Sequence, residues 1–329
     1  MSPAPIHARM MLPIVGFAFI LAAPVPGDDA TLLQRIEVGD VQWGRNLDAG
    51  LKASRESGKP VLLLFQEVPG CAGCQKFGRD VLKNPLIVEA AEDEFIPVVI
   101  FNNKGGYDAK VLKQHREPAW NYQVVRFLDG EGKELIPRKD RIWTLGGIAA
   151  RMRDALAAGG RTVPRYLETV IEEEPSGRHG EVALAMHCFW TGEQRLGGID
   201  GVVSTEAGWL EGREVTRIIY RSDQLALKAL IERAQEMKCA LGAYVDGKAL
   251  QEVARNAGID RVGGLEHGYR KAPSSDQKRQ ISNWPLEQIP GLTAMQQTKL
   301  NALGRIDRDR AIAWLSPRQR TALAAGTQR

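Results

Sequence analysis

Four cysteines carry the candidate reactive chemistry of this 329-residue chain: Cys71, Cys74, Cys188 and Cys239. Cys71 and Cys74 follow the turn Val68-Pro69-Gly70 with two residues between them. A Cys-x-x-Cys pair is a redox dithiol or half of a structural zinc site, and the zinc site needs a second ligand pair at compatible spacing. No second Cys-x-x-Cys or His-x-x-x-His follows, so the dithiol reading leads and no metal is assigned. A static disulfide across two residues would also staple almost nothing. Cys188 stands in a different setting, His187-Cys188-Phe189-Trp190, with Trp209, Glu214 and Cys239 downstream. A thiolate can attack an electrophilic sulfur or oxygen, a neighbouring carboxylic acid can protonate the leaving oxygen, and a second thiol can then close a disulfide. Phe189 and Trp190 could wall an apolar methyl group. His187 could activate Cys188 or join the thiols in holding a soft metal; His115, His179 and His267 receive no role.

Positioning these side chains requires particular elements. The unbroken apolar run Val61–Phe65 suits a strand covered on both faces, ended by Pro69 and Gly70. A helix opening at the dithiol places Cys71 against outward-pointing amides, where a thiolate is favoured. The pattern then predicts a helix from Gln75 to Phe95 bent near Pro85, a strand over Ile96–Phe101, a helix over Asp108–Arg116 and a strand over Val124–Leu128. Asp129–Gly132 turns that strand into a hairpin toward Leu135 and Ile136, and Ile148, Met152, Ala155 and Leu156 share a helical face. This order gives an α/β domain of thioredoxin-like fold. A helix from Arg161 to Glu174 precedes a boundary at Pro175-Ser176-Gly177.

Beyond the boundary, Val182, Leu184 and Met186 alternate as a strand, Cys188–Leu196 reads as a helix, and Val202–Gly208 and Glu214–Arg221 as strands. A helix carrying Leu227, Leu230, Ile231 and Ala234 and a strand over Cys239–Val245 complete a βαββαβ, ferredoxin-like α+β domain. In its 4-1-3-2 sheet the end of strand one meets the beginnings of strands three and four. Cys188, Glu214, Cys239 and Trp209 therefore belong along one edge of the sheet, with Cys188 at a helix N-terminus.

Two resemblances sharpen these readings. Val68-Pro69-Gly70-Cys71-Ala72-Gly73-Cys74, with Asn102-Asn103-Lys104-Gly105-Gly106 and Glu117-Pro118-Ala119-Trp120-Asn121, resembles the thioredoxin-like family marked by Val-Pro-Gly-selenocysteine-x-x-Thr. The resemblance implies that Cys71 is the nucleophile and Cys74 its resolving thiol. Thioredoxins place a cis-proline before the third strand; here that slot is Gln123, with Pro118 as the other candidate. Ala185-Met186-His187-Cys188-Phe189-Trp190, then Gly201-Val202-Val203-Ser204-Thr205 and Gly208-Trp209, is similar to peptide methionine sulfoxide reductase of the A type, whose motif is Gly-Cys-Phe-Trp. That likeness, from Glu181 to about Lys238, implies Cys188 as nucleophile, Phe189 and Trp190 as methyl pocket and Glu214 as proton donor. His187 replaces the motif glycine, the family's long substrate loop and its tyrosine are missing between Trp209 and Glu214, and Gly268-Tyr269-Arg270 is a faint remnant of later motifs.

The chain is 43% hydrophobic with a formal net charge of +4, interspersed rather than clustered, which does not suggest a nucleic-acid partner. His7 and Arg9, an apolar stretch from Met10 to Ala23 and then Pro24–Gly27 resemble a secretory signal, shorter than the ~20 residues of a bilayer span. The expected organisation is a signal or anchor over 1–27, a thioredoxin-like domain over 28–175, a methionine-sulfoxide-reductase-like domain over 176–270 and an extension over 271–329. In the extension, Thr293 and Gln296 signal one helix and residues 316–329 are expected to fray. The expectation is a secreted or periplasmic thiol-disulfide oxidoreductase without cofactor, in which the dithiol supplies electrons to Cys188 for reduction of a methionine sulfoxide. Its partners would be an oxidised protein or peptide substrate and an upstream thiol reductant, with membrane contact only through an uncleaved N-terminal segment. The alternatives are a disulfide exchanger whose second domain only docks partners, and a soft-metal carrier.

Overall fold

The computed structural model describes residues 35–119, 123–175, 177–266 and 268–327. The expected leader over 1–27, Trp120 and Asn121 of the first motif set, Ser176 of the expected boundary and His267 lie outside the described residues. Among the described residues no helix is long and apolar enough to cross a membrane.

The first half runs α1 (Leu47–Ser57), β1 (Val61–Gln66), α2 (Ala72–Asp80), α3 (Pro85–Asp93), β2 (Ile96–Phe101), α4 (Tyr107–Gln114), β3 (Val124–Leu128), α5 (Leu145–Ala158) and α6 (Arg165–Glu173). β1 is the centre of a three-stranded sheet, parallel to β2 and antiparallel to β3. Leu62 and Leu64 pack toward α2, α3, α5 and α6, while Val61, Leu63 and Phe65 pack toward α1 and α4. Both faces are covered, which is why the strand's sequence does not alternate. The expected bent helix is two helices: Asn84 accepts hydrogen bonds from the Leu86 and Ile87 amides at 3.0 and 3.3 Å, starting α3 afresh with Pro85 at its first position. Beyond β3 the hairpin pairing is a single bridge, Leu128 to Glu134.

The second half runs β4 (His179–Ala185), α7 (Phe189–Gly197), β5 (Val202–Leu210), β6 (Arg213–Arg221), α8 (Leu227–Glu236), β7 (Gly242–Tyr244), α9 (Lys248–Asn256), β8 (Val262–Gly263) and β9 (Arg270–Lys271). The sheet order is β8-β7-β4-β6-β5-β9. Its inner four strands are the ferredoxin-like 4-1-3-2 arrangement, and β8 and β9 extend it at either side. β7 starts three residues later than the sequence pattern suggests. Lys238 adopts a left-handed φ of 57°, and the Cys239 amide donates to the Ala234 carbonyl at 2.7 Å, so Cys239 closes α8 instead of opening the strand.

Among its described residues the C-terminal extension is helical up to Gly326, where residues 316–329 were expected to fray. It forms α10 (Ala294–Leu303), α11 (Arg308–Ile312) and α12 (Pro317–Gly326), which bridge the two halves. Lys299 Nζ donates to the Gly197 and Ile199 carbonyls of the second half at 2.9 and 3.0 Å. Ser316 Oγ and the Arg318 amide donate to the buried Glu89 of α3, and the Arg318 guanidinium reaches Asp93 at 2.8 Å. The buried face of these helices mixes apolar residues (Met295, Leu300, Ala311, Leu323) with polar ones (Gln296, Lys299, Asn301, Gln319), which interrupts the apolar periodicity that marks a helix.

The dithiol helix α2 is held from behind by a short 3-10 turn, Ile36–Val38. A Cβ on Gly78 would collide with the Ile36 carbonyl oxygen and lie 2.6 Å from the Glu37 carbonyl carbon, both backbone atoms. Gly78→Ala should destabilise the protein by about 1–3 kcal/mol in urea denaturation. Unchanged stability would show that the turn does not pack on α2.

Candidate active site

Cys71 caps the N-terminus of α2 in extended conformation without using its side chain as a cap, so its sulfur is left at the surface, exposed. Cys74, one helical turn on, is buried, with the two Sγ atoms 3.6 Å apart. Burial pushes the Cys74 thiol from an ordinary 9.0 up to about 12, helped by the hydrogen bond and charge of Cys71. Of the two sulfurs, Cys71 is the one a partner can reach, with Cys74 shielded beneath it.

Side chains from distant segments hold the turn ahead of the dithiol. Asn103 Oδ1 accepts from the Val68 amide at 3.2 Å, and its Nδ2 donates to the Pro69 carbonyl at 3.1 Å. Glu37, 2% exposed, accepts from the Gly70 amide at 2.8 Å. Gln66 Nε2 donates to the Glu37 carbonyl at 2.6 Å and to the Cys74 carbonyl at 3.4 Å. Gly70 is required here because a Cβ would strike the Glu67 carbonyl and come within 2.7 Å of the Cys74 Cβ. Gln123, in the slot before β3, faces the dithiol with Oε1 4.0 Å from Cys74 Sγ, the position for which Pro118 was the other candidate. A groove of about 160 Å³ beside Cys71 is lined by Gly73, Lys76, Phe77, Gln123 and the half-exposed Trp143. Glu37 and Trp143 carry no local sequence signal, since each reaches the dithiol from another segment.

Cys188 repeats the arrangement: it caps α7 in extended conformation, again without a side-chain cap bond, and is half-buried. Pairing of Ala185 with Val215 and Gly242, and of Trp209 with Glu214, brings Cys188, Glu214 and Trp209 to one end of the sheet. Glu214 Oε2 accepts from the Phe189 amide at 2.8 Å, seating its carboxylate at the N-terminus that Cys188 caps. Cys239 is buried, its Sγ 3.3 Å from the Met237 carbonyl. Burial raises its pKa, Arg195 opposes the rise, and charge on Cys188 adds to it. Arg195, seven residues after Cys188 on α7, donates to the Met237 carbonyl at 2.6 Å; nothing in the sequence reading singled it out. Phe189 lies edge-on to Trp190 and Trp209, with ring centroids 5.9 and 5.2 Å apart. Ala272, just after β9, packs into this cluster, Arg279 and Arg270 lie over Trp190 and Trp209, and Phe189 is only 4% exposed. His187 is exposed.

Residues 42–130 match the thioredoxin-like family. These residues form a thioredoxin-like domain. Among solved structures, methionine sulfoxide reductase A of Corynebacterium diphtheriae is 16% identical with a TM-score of 0.28, covering 35% of this chain and 78% of its own. A DsbH oxidoreductase is 21% identical with a TM-score of 0.31, covering 39% of this chain and 90% of its own. No curated protein matches the sequence. The chain thus combines a thioredoxin-like domain with a second α/β domain of ferredoxin-like strand order. One exposed and one buried thiol in the first of these support a thiol-dependent oxidoreductase.

The raised Cys74 pKa has a definite sign. A thiol that ionises at about 12 folded but near 9.0 unfolded stabilises the reduced fold below pH 9, and that stabilisation is lost as pH rises toward 12. Reduced protein should therefore lose stability over this range in excess of a Cys74→Ala variant, measured by denaturant titration at stepped pH. Identical profiles would contradict the burial of an un-ionised thiol.

Proposed function

We propose that the chain is a two-centre thiol oxidoreductase that reduces an oxidised sulfur of the methionine sulfoxide class at Cys188, with electrons supplied by the Cys71–Cys74 dithiol. The observation that carries the reading is the Glu214 carboxylate, seated on the amide of Phe189, the residue that follows Cys188. In the reaction, the Cys188 thiolate attacks the sulfoxide oxygen, which Glu214 protonates; the sulfoxide S–O bond breaks with its electron pair left on the thioether, and the oxygen stays on Cys188 as a sulfenic acid. A thiol, Cys239 or Cys71, displaces water from that sulfenic acid to form a disulfide. Exchange with the dithiol then returns Cys188 to the thiol and leaves Cys71–Cys74 oxidised, for reduction by an upstream thiol donor. The substrate is an oxidised protein or peptide, and the reaction runs in an extracytoplasmic compartment, a reading supported by the leader-like N-terminal residues.

A second reading has its own observation. Phe189, which the methyl-pocket reading needs open, is 4% exposed behind Trp190, Trp209 and Ala272. A filled pocket suits a second domain that docks partner proteins for disulfide exchange at Cys71.

NADPH-linked turnover with thioredoxin reductase as donor and a methyl-sulfoxide peptide as substrate separates the two. A relay loses turnover in both Cys71→Ser and Cys188→Ser, and Glu214→Gln slows it by about 10²-fold or more. Absence of sulfoxide turnover in the parent, with disulfide reduction intact and dependent on Cys71 alone, would contradict the relay and support docking.

A further inference from the structure

The missing second ligand pair argued against zinc at Cys-x-x-Cys, yet the fold brings a third ligand from the turn itself. A carboxylate oxygen of Glu67 and the sulfurs of Cys71 and Cys74 all lie within 4.8 Å of one another. Zinc–sulfur bonds of about 2.3 Å at tetrahedral angles set two thiolates about 3.8 Å apart, and a carboxylate oxygen about 3.6 Å from each. The observed Sγ–Sγ separation is 3.6 Å, so the sulfurs already stand at tetrahedral spacing and only the Glu67 side chain needs to close in. Glu67 is half-buried, and among the described residues its carboxylate has no hydrogen bond or ion pair that holds it elsewhere. The nearest cation of the groove, Lys76, is turned to Asp80 on its own helix. A copper(I) ion held in line by two thiolates would force the sulfurs apart and leave the carboxylate without a role.

We propose that Glu67, Cys71 and Cys74 bind a zinc ion in the reduced protein, with the fourth position open on the exposed side of Cys71. The proposal rests on the dithiol's cycling between thiol and disulfide. Bound zinc masks both thiolates. When a partner disulfide accepts their two electrons and leaves as two thiolates, the Cys71–Cys74 disulfide forms and the ion, left with one protein ligand, is released. The site thus couples zinc release to oxidation.

Titration of reduced, full-length protein with zinc against a chromophoric chelator tests this, alongside Cys71→Ser, Cys74→Ser, Glu67→Gln and the disulfide form. Thermal melts of the zinc-free variants establish that each is folded. The expected result is one zinc ion per reduced chain beyond any uptake by Cys71→Ser, at least tenfold weaker binding in Glu67→Gln, and none in the oxidised protein. Equal affinity in parent and Glu67→Gln, or binding that survives Cys74→Ser or oxidation, overturns the site. Zinc-free protein that reduces disulfides and sulfoxides while taking up no zinc would overturn this proposal alone and leave the oxidoreductase reading standing.

Discussion

Both candidate nucleophiles are placed by one device: a buried strand ends, the chain turns, and a cysteine in extended conformation caps the next helix without spending its sulfur on the cap. The free amides of a helix's first turn favour negative charge, and a strand end fixed by a sheet holds the turn in place. Everything else at the two centres follows from where the strands end. β1 delivers Cys71 beside Gln123 at the start of β3, and β4 delivers Cys188 beside Glu214 at the start of β6.

The centres then differ in what surrounds the sulfur. At Cys71 the second thiol is one turn away and buried, which suits exchange of a disulfide between an exposed attacker and a protected resolver. At Cys188 the companion is a carboxylate, and the second thiol is held at the C-terminus of α8, under the influence of Arg195. A carboxylic acid is what departure of oxygen needs and what disulfide exchange does not. The C-terminal helices lock the two halves together through Glu89, Arg318 and Lys299, so both centres belong to one continuous body.

Much of this layout was legible in the sequence. The unbroken apolar run of β1 announced a strand covered on both sides, and antiparallel ferredoxin-like order put Cys188, Glu214 and Trp209 at one end of a sheet, while Cys239, expected to open the fourth strand there, closes α8 instead. What stayed hidden depends on contacts between distant segments or on buried polar groups. Glu37 reaches Gly70 from another segment, Trp143 enters the Cys71 groove from the loop before α5, and Ala272 fills space beside Phe189 that its neighbouring motif gives no hint of. In the extension, Gln296, Lys299, Ser316 and Gln319 are buried among Leu300, Leu315 and Leu323, so the polar positions break the periodicity by which its helices would show. The Ser316–Gln319 capping box was nevertheless visible as a Ser-x-x-Gln spacing.

The most direct test of the two-centre relay is a single-turnover count. Fully reduced protein, freed of external reductant, is mixed with excess methyl-sulfoxide peptide, and the thioether formed per chain is quantified. Two dithiols' worth of electrons flowing to one centre gives about two equivalents in the parent and about one in Cys71→Ser. Equal yields in the two proteins, or no thioether at all, would mean that the dithiol does not feed Cys188.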